Sequence, residues 1–544
     1  MSLHVTVAHG LARLIKAQGI QTIFSLSGNQ IMSVYDGCLA EGLDIHHCRH
    51  EGAAVFMADG YSQIAGRPGI AMVTAGSGFL NSLGALFAAR LNQSNLILLT
   101  GDSGVSQDGK GAFQELNQCL SSSPVTAYAV RPKSSEQLFA ALHEAFVFYA
   151  KGNTGPIHIA LAADLLEQPL DEQALALFLD AWVTSGDDAS PPQIVLEPHE
   201  WRMVEQLLET IQAAASPVLL LGPFFNQARY PGLTQVLRKA LAVDCFFMES
   251  PRGIADPHWP GLAQRLSAAD LIVVIGKPVD FSMQFGKFAS SQTKGPQWLM
   301  VDSDALTIER FHTNLPDQVV NTLRMTPRRC VQGLLQKLGQ TAGSAQGGAI
   351  EELNPVDPPL GSAHVGLFKA IQRVINELPG RVTLVVDGGE FGQWAQAGLR
   401  AHRRIINGVS GTIGGGLSYG MGALTADPDS HVLVIMGDGT VGFHLAEFET
   451  AARAGQRVVT IVGNDRRWNA EYQIQIRKYG EDRTFACELS DANYAQACIA
   501  LGGWGARVQT SEELESALKK AFAFNGPSCI DLAIEPEPYK AGSK

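Results

Sequence analysis

The chain predicts an α/β protein built from three doubly wound parallel-sheet domains. Three observations carry this. Its 544 residues correspond to roughly three or four domains of ordinary size. Short apolar runs of strand length alternate with helical stretches, and strands joined through helices lie parallel, with helices on both faces of the sheet. Two polar stretches rich in Pro, Gly and acidic residues, at 183–199 and 340–362, divide the alternation into three blocks.

The first block spans residues 1–182. Residues 1–20 read as a mixed amphipathic helix and lack the pattern of a signal peptide. Apolar runs at 22–26, 70–74, 96–100, 125–130 and 156–160 predict strands, and 30–41, 52–65, 81–91 and 135–150 predict helices between them. The second block, 200–339, has strand candidates at 218–222, 243–247, 271–276 and 297–301 but no catalytic constellation. Its Gly276-Lys277-Pro278 lacks the glycine spacing of a phosphate-binding P-loop. The third block, 363–535, opens with a strand at 382–386 that ends in Asp387-Gly388-Gly389 and continues into a glycine-rich stretch at 407–420. The tail beyond Glu535 reads as loosely ordered.

Composition narrows the function. At 46% hydrophobic and 17% charged residues the chain is that of a soluble globular protein able to bury several cores. A net charge of −12 argues against a general nucleic-acid binder and supplies no basic tract for a membrane surface. No apolar run reaches the roughly 18 residues that span a bilayer. The eight cysteines are scattered without a CxxC pair, which fits free thiols in a reducing cytoplasm.

One stretch concentrates the chemistry. The apolar run 431–436 ends at Gly437-Asp438-Gly439, a helical stretch follows at 443–454, and a second apolar run from 457 ends at Asn464-Asp465. Parallel strands of a βαβ unit end at one sheet edge, where ligands bind. Two carboxylates meeting there suit a Mg²⁺ ion that holds a diphosphate. The plain alternative is a βαβ unit whose Asp438 caps a helix.

This stretch resembles the cofactor signature of the thiamine-diphosphate enzymes: GDG, some two dozen residues, then an asparagine-rich end. In that pattern the Asp of GDG and a side chain 27 positions later bind the metal, which here implies Asp438 and Asp465. The family usually has Asn at the second position, so Asp465 adds a negative charge. The third protein ligand implied is the main-chain carbonyl of Arg467, whose side chain could offset that charge. Further matches follow in order. Arg49-His50-Glu51-Gly52-Ala53-Ala54 resembles the RHE-x-A-A segment whose glutamate activates the cofactor's pyrimidine; by itself Glu51 would serve as a first-turn helix charge. Residues 24–29 (FSLSGN) match the first active-site loop, and 65–69 leading to Val73-Thr74-Ala75-Gly76-Ser77-Gly78 resemble the G-(K/R)-PG…TSGPG pattern. Ala112-Phe113-Gln114-Glu115 resembles the AFQE of acetolactate synthases, in which Phe113 and Gln114 would face the reactive end of the cofactor. Gly411-Thr412-Ile413-Gly414 resembles the G-(T/S)-M-G segment that bends the cofactor, with Ile413 in place of Met. Gly388, Gly389, Glu390, Gly437, Gly439 and Thr440 complete the implied cofactor contacts.

The resemblance covers nearly the whole chain and is strongest to the acetolactate synthase and benzaldehyde lyase group. It implies pyrimidine-binding, central and diphosphate-binding domains. It also implies a homodimer or homotetramer in which Glu51 of one subunit meets Asp438 of another. The implied substrate is a 2-oxo acid or acyloin: after loss of CO₂ or cleavage of a C–C bond, the product is an aldehyde or an acyloin or acetohydroxy acid. Benzaldehyde lyase-like and oxalyl-CoA decarboxylase-like activities stand as alternatives. Candidate substrate contacts are Ser27, Asn29 and Gln30 in the first loop, Glu390 and Trp394 after the first strand of the third block, and Arg467, Trp468 and Glu471 after the metal loop. The absence of histidines at Ser27 and Asn29 favours carboligation over plain decarboxylation. In relatives the central domain binds FAD or ADP, and no fingerprint here decides for either. A nicotinamide-dependent oxidoreductase is opposed by the lack of a G-x-G-x-x-G joining strand to helix. A non-catalytic relative is opposed by the presence of both Glu51 and Asp438.

Overall fold

The computed structural model describes residues 5–183, 195–288, 295–340 and 364–538. The two expected linkers therefore fall largely outside the described residues. The chain builds three all-parallel sheets. The first joins β1 (Thr22–Ser25), β2 (Asp44–His47), β3 (Gly69–Val73), β4 (Leu96–Asp102), β5 (Tyr128–Val130) and β6 (Ile157–Ala162) in the order β2-β1-β3-β4-β6-β5. The second joins β7 (Pro217–Leu221), β8 (Asp244–Phe247), β9 (Leu271–Ile275), β10 (Gln297–Val301) and β11 (Val319–Leu323) in the order β11-β10-β9-β7-β8. The third joins β12 (Val382–Val386), β13 (Arg403–Ile406), β14 (His431–Gly437), β15 (Val458–Asn464), β16 (Trp504–Val508) and β17 (Ser528–Ala533) in the order β13-β12-β14-β15-β17-β16. The third sheet thus repeats the first strand for strand. In each, the order reverses at the first strand, which opens a crevice at the carboxyl ends of the sheet's first and third strands.

The central strands β3, β4, β6 and β15 are buried along their whole length, which is why they read as unbroken apolar runs. The helices that matter for the first sheet are α1 (Val7–Ala17), α2 (Met32–Glu41), α3 (Glu51–Ala65) and α4 (Ser77–Leu91). Four expectations shift. The strand expected from 125 begins only at Tyr128, because Pro124 sits in a 3₁₀ turn over Ser123–Val125. The helix expected from 81 starts at Ser77, directly after Gly76 turns the chain with φ +56°. Strand β11 lies at a sheet edge, is only partly buried and carries Asn321, so its apolar signal is weak. The single helix expected over 443–454 is α-helical only over Glu447–Arg453; its start belongs to a 3₁₀ turn Gly442–His444 that follows a short helix Asp438–Val441.

The chain forms two compact units. One comprises Met1–Gln193, Leu417–Pro428 and His444–Gln456; the other comprises Ile194–Gly416, Asp429–Phe443 and Arg457–Lys544. The first unit therefore takes two segments from the third block. Helix α3 is buried nearly all round. Its outer side meets residues 417–426 at two glycines: a Cβ on Gly60 would lie 2.4 Å from the Tyr419 carbonyl, and one on Gly422 2.0 Å from that of Met57. The buried Asp59 accepts a hydrogen bond from the Tyr419 hydroxyl (3.2 Å) at this crossing. In the second unit Arg404 of β13 pairs with Glu249 (2.7 Å) after β8, both fully buried, and ties the second and third sheets together. All eight cysteines are free thiols. Among the described residues no helix is long and apolar enough to cross a membrane.

Candidate active site

In the second unit, β14 and β15 pair in register with Gly437 opposite Gly463, so Asp438 and Asp465 emerge side by side at one sheet edge. Both are buried, with 3% and 7% of their surface exposed. Asp438 accepts hydrogen bonds from the main-chain N–H groups of Gly439 (2.8 Å) and Arg467 (3.2 Å). Burial nevertheless pushes its carboxyl up to about 6. Asp465 is pushed up to about 7, first by burial and then by the Asp438 charge. Two adjacent acids whose ionisation is this costly fit a divalent cation, which would cancel both charges. Among the described residues no three His, Cys, Asp or Glu side chains come together to hold a metal. A third protein ligand here would thus be a main-chain atom. The Arg467 guanidinium stacks over Tyr472 (4.3 Å) and lies 3.8 Å from Glu488, and its charge is the weakest of the influences that hold Asp465 down.

Around this pair the chain presents glycines. Gly389 and Gly411 have φ of +89° and +65° and face open space, as does Gly437, leaving their backbone free for a bulky anion. The Thr440 hydroxyl bonds back to the Gly437 main chain (3.1 Å) and fixes the GDGT turn. Three side chains sit against glycines that have no room for a Cβ: Ile413 against Gly388 (2.8 Å), Phe443 against Gly414 (2.4 Å) and Trp468 against Gly439 (2.6 Å). Trp468 also meets Phe443 edge-on at 6.4 Å, so its ring serves the packing of the turn. Glu390 is buried at the start of helix Gly389–Gly398. Trp394, expected at the substrate, lies in the apolar core beside His364 (5.6 Å), because it occupies the sheet-facing side of that helix. Glu471 is exposed on helix Asn469–Tyr479.

Sequence reasoning passed over Asp387. It ends β12, is fully buried, and accepts from the N–H groups of Gly388 (2.6 Å), Gly414 (3.0 Å) and Gly416 (2.9 Å). One carboxylate thereby holds the end of the 411–416 loop at Gly414 and Gly416. The available signal was its place: an acid at a strand end, followed by glycines and by a second glycine run.

In the first unit Glu51 is the first residue of α3 and 9% exposed. His50 caps the helix by accepting from Gly52 N–H (3.0 Å). The segment before Glu51 is pinned from outside: buried Glu447 accepts from Arg49 N–H (3.0 Å), and Arg453 donates to the His47 carbonyl (2.7 Å). At the crevice of the first sheet, Gln30 is buried and both ends of its amide are engaged. Its oxygen accepts from the Thr74 hydroxyl and its nitrogen donates to Gln114 (3.0 Å). Gln114 has φ +60°, packs on Gly76 and donates to Ser77 (3.1 Å). Phe113 is 75% exposed on a loop that Glu115 fastens through the N–H groups of Gly109, Gly111 and Ala112. Ser27 and Asn29 are exposed, with Ser27 within 3.2 Å of His47.

These two sets, a paired-acid glycine cradle and a buried helix-opening glutamate, on sheets of identical order, define a thiamine-diphosphate-binding protein. Residues 5–121 match the N-terminal TPP-binding domain of the thiamine pyrophosphate enzymes, and residues 387–532 match their C-terminal TPP-binding domain. The chain thus carries both TPP-binding domains of the thiamine pyrophosphate enzymes. An acetolactate synthase large subunit of Mycobacterium tuberculosis is 28% identical over 97% of this chain and 95% of its own length. The human 2-hydroxyacyl-CoA lyase 2 is also 28% identical, over 97% of this chain and 89% of its own. A solved thiamine diphosphate-dependent 4-hydroxybenzoylformate decarboxylase of Rhodococcus jostii shares the fold, with a TM-score of 0.76 at 21% identity over 98% of this chain and 100% of that one.

Proposed function

We propose that this chain is a Mg²⁺- and thiamine-diphosphate-dependent enzyme that makes or breaks a C–C bond at the carbonyl carbon of a 2-oxo acid or acyloin, in the manner of acetolactate synthases. The observation that carries it is the buried Asp438–Asp465 pair at the ends of adjacent parallel strands. Asp438, Asp465 and the Arg467 carbonyl hold the metal. Gly388, Gly389, Glu390, Gly411, Ile413 and the Gly437–Thr440 turn border the cofactor. When bound, the cofactor supplies the carbon nucleophile and the electron sink. The chain does the rest: Glu51 moves a proton at the pyrimidine ring nitrogen, work typically worth about 10²–10⁴-fold in rate. Gln114 and Phe113 would face the reacting carbon. Ser27 and Asn29, exposed in the first loop, would contact the substrate, and Gln30 orients Gln114. Glu51 and Asp438 meet across a homodimer or homotetramer. A 2-hydroxyacyl lyase or decarboxylase is the second reading, favoured by the equal 28% identity to the human lyase.

The test is calorimetric titration of metal-stripped protein with thiamine diphosphate, with and without Mg²⁺. Metal-dependent stoichiometric binding that weakens in Asp438→Ala is expected; absence of binding in both conditions would overturn the proposal. Product analysis then separates the readings: acetolactate from pyruvate identifies a synthase, and aldehyde release from an acyloin identifies a lyase. Flavin absorbance of the same sample reports whether FAD accompanies the central sheet.

A further inference from the structure

Three features of the first unit converge on Glu51. Asn81, one turn into α4, donates from Nδ2 to Glu51 Oε2 at 3.1 Å. Gly78, one turn earlier, clears the carboxyl: a Cβ there would stand 3.2 Å from Glu51 Oε1. Gly52 clears the other side, since its Cβ would stand 3.3 Å from the Asn81 carbonyl. The starts of α3 and α4 are thus drawn together by two glycines so that one amide reaches one carboxylate oxygen.

The consequence is chemical. An amide N–H can only donate, so the oxygen it meets must accept. The C=O oxygen of a neutral carboxyl accepts better than its O–H oxygen, so this donor favours Oε2 as the carbonyl oxygen and Oε1 as the one that carries the proton. We propose that Asn81 is a positioning residue for Glu51: it fixes Oε1 as the oxygen that passes a proton to the pyrimidine ring nitrogen and takes it back. In each passage the Oε1–H bond breaks, an N–H bond forms, and the charge left on the carboxylate is shared with the Asn81 donor through Oε2. This rests on the reading of Glu51 given above. A hydrogen bond to a charged group is worth about tenfold or more in an equilibrium or rate.

The experiment needs no substrate. In full-length protein loaded with Mg²⁺ and thiamine diphosphate, the exchange of the cofactor's thiazolium C2 proton for deuterium is timed by acid quench and NMR. Glu51→Gln should slow it strongly, Asn81→Ala by about tenfold, and Asn81→Gln should restore much of the rate. Asn81→Asp, which sets a second carboxylate against Glu51, should be slower than Asn81→Ala. In a Glu51→Gln background Asn81→Ala should add nothing. Cofactor affinity and melting temperature, measured in parallel, identify any variant that has not folded, and the Gln and Asp variants then carry the comparison. A wild-type rate in Asn81→Ala, or an equal loss in the Glu51→Gln background, overturns the positioning role alone. A wild-type rate in Glu51→Gln, or failure of the wild type to bind the cofactor, overturns the reading of Glu51 and the proposal with it.

Discussion

Asp465 is where this chain departs from the family pattern, and burial first and the Asp438 charge second set its chemistry. Without a cation, Asp438 and Asp465 sit near 6 and 7, above the 3.8 of a free aspartate. An acid whose folded pKa is raised binds more protons folded than unfolded, so stability falls as pH rises from the unfolded value through the folded one. The metal-free protein should therefore lose stability between pH 4 and 7, by several kcal/mol. Asp465→Asn should remove much of that slope and raise the melting temperature at pH 8. Mg²⁺ with thiamine diphosphate should raise the melting temperature more at pH 8 than at pH 5.5, because the cation needs both groups ionised. Thermal scans across pH check this; a flat profile in the wild type would mean that burial does not raise the two acids. That Asp438 and Asp465 stand together was legible in the sequence because the two apolar runs before them fix where neighbouring strands end. Asp387 was not, since a hydrogen bond to main-chain N–H groups leaves no pattern at the recipients' positions.

The breaking of the expected 443–454 helix matters at the scale of the element. Freed from the Asp438–Val441 turn, helix Glu447–Arg453 joins the first unit and places Glu447 under the chain that leads into Glu51. Its burial raises its pKa, and Arg49 N–H is among the groups that hold it down. Glu447→Ala should leave that N–H without its acceptor and cost about 1–3 kcal/mol. Hydrogen exchange should accelerate at residues 47–52 in this variant while the third sheet stays protected. Equal protection throughout would show that the segment needs no external anchor. Helices such as Ser135–Ala150 and strands such as Val382–Val386 were legible to the residue, because their apolar period runs unbroken between turn residues.

For the whole molecule, Glu51 and Asp438 belong to different compact units. In the proposed assembly each site takes its glutamate from one subunit and its aspartate from another. Glu51→Gln and Asp438→Ala proteins, each inactive, should then regain activity when unfolded and refolded together. A two-fold pair of unlike subunits keeps one intact site, so random pairing restores about a quarter of the sites. Recovery is read as activity or as C2–H exchange of the mixture. No recovery, with mixed oligomers verified by mass, would place both residues of a site in one chain.

The sequence by itself determined three parallel-sheet blocks, the two acids at neighbouring strand ends and a glutamate opening a helix, since periodicity and the stops of apolar runs are properties of the chain in order. Only the tertiary structure decided what holds them. Trp394 went to the core, Gln30 to Gln114, Asn81 to Glu51 and Asp387 to the glycine loop. Each of these contacts joins residues that are distant in the chain or that share no period. A buried polar group takes whichever partner the packed elements bring within about 3 Å, and one-dimensional order does not say which that is.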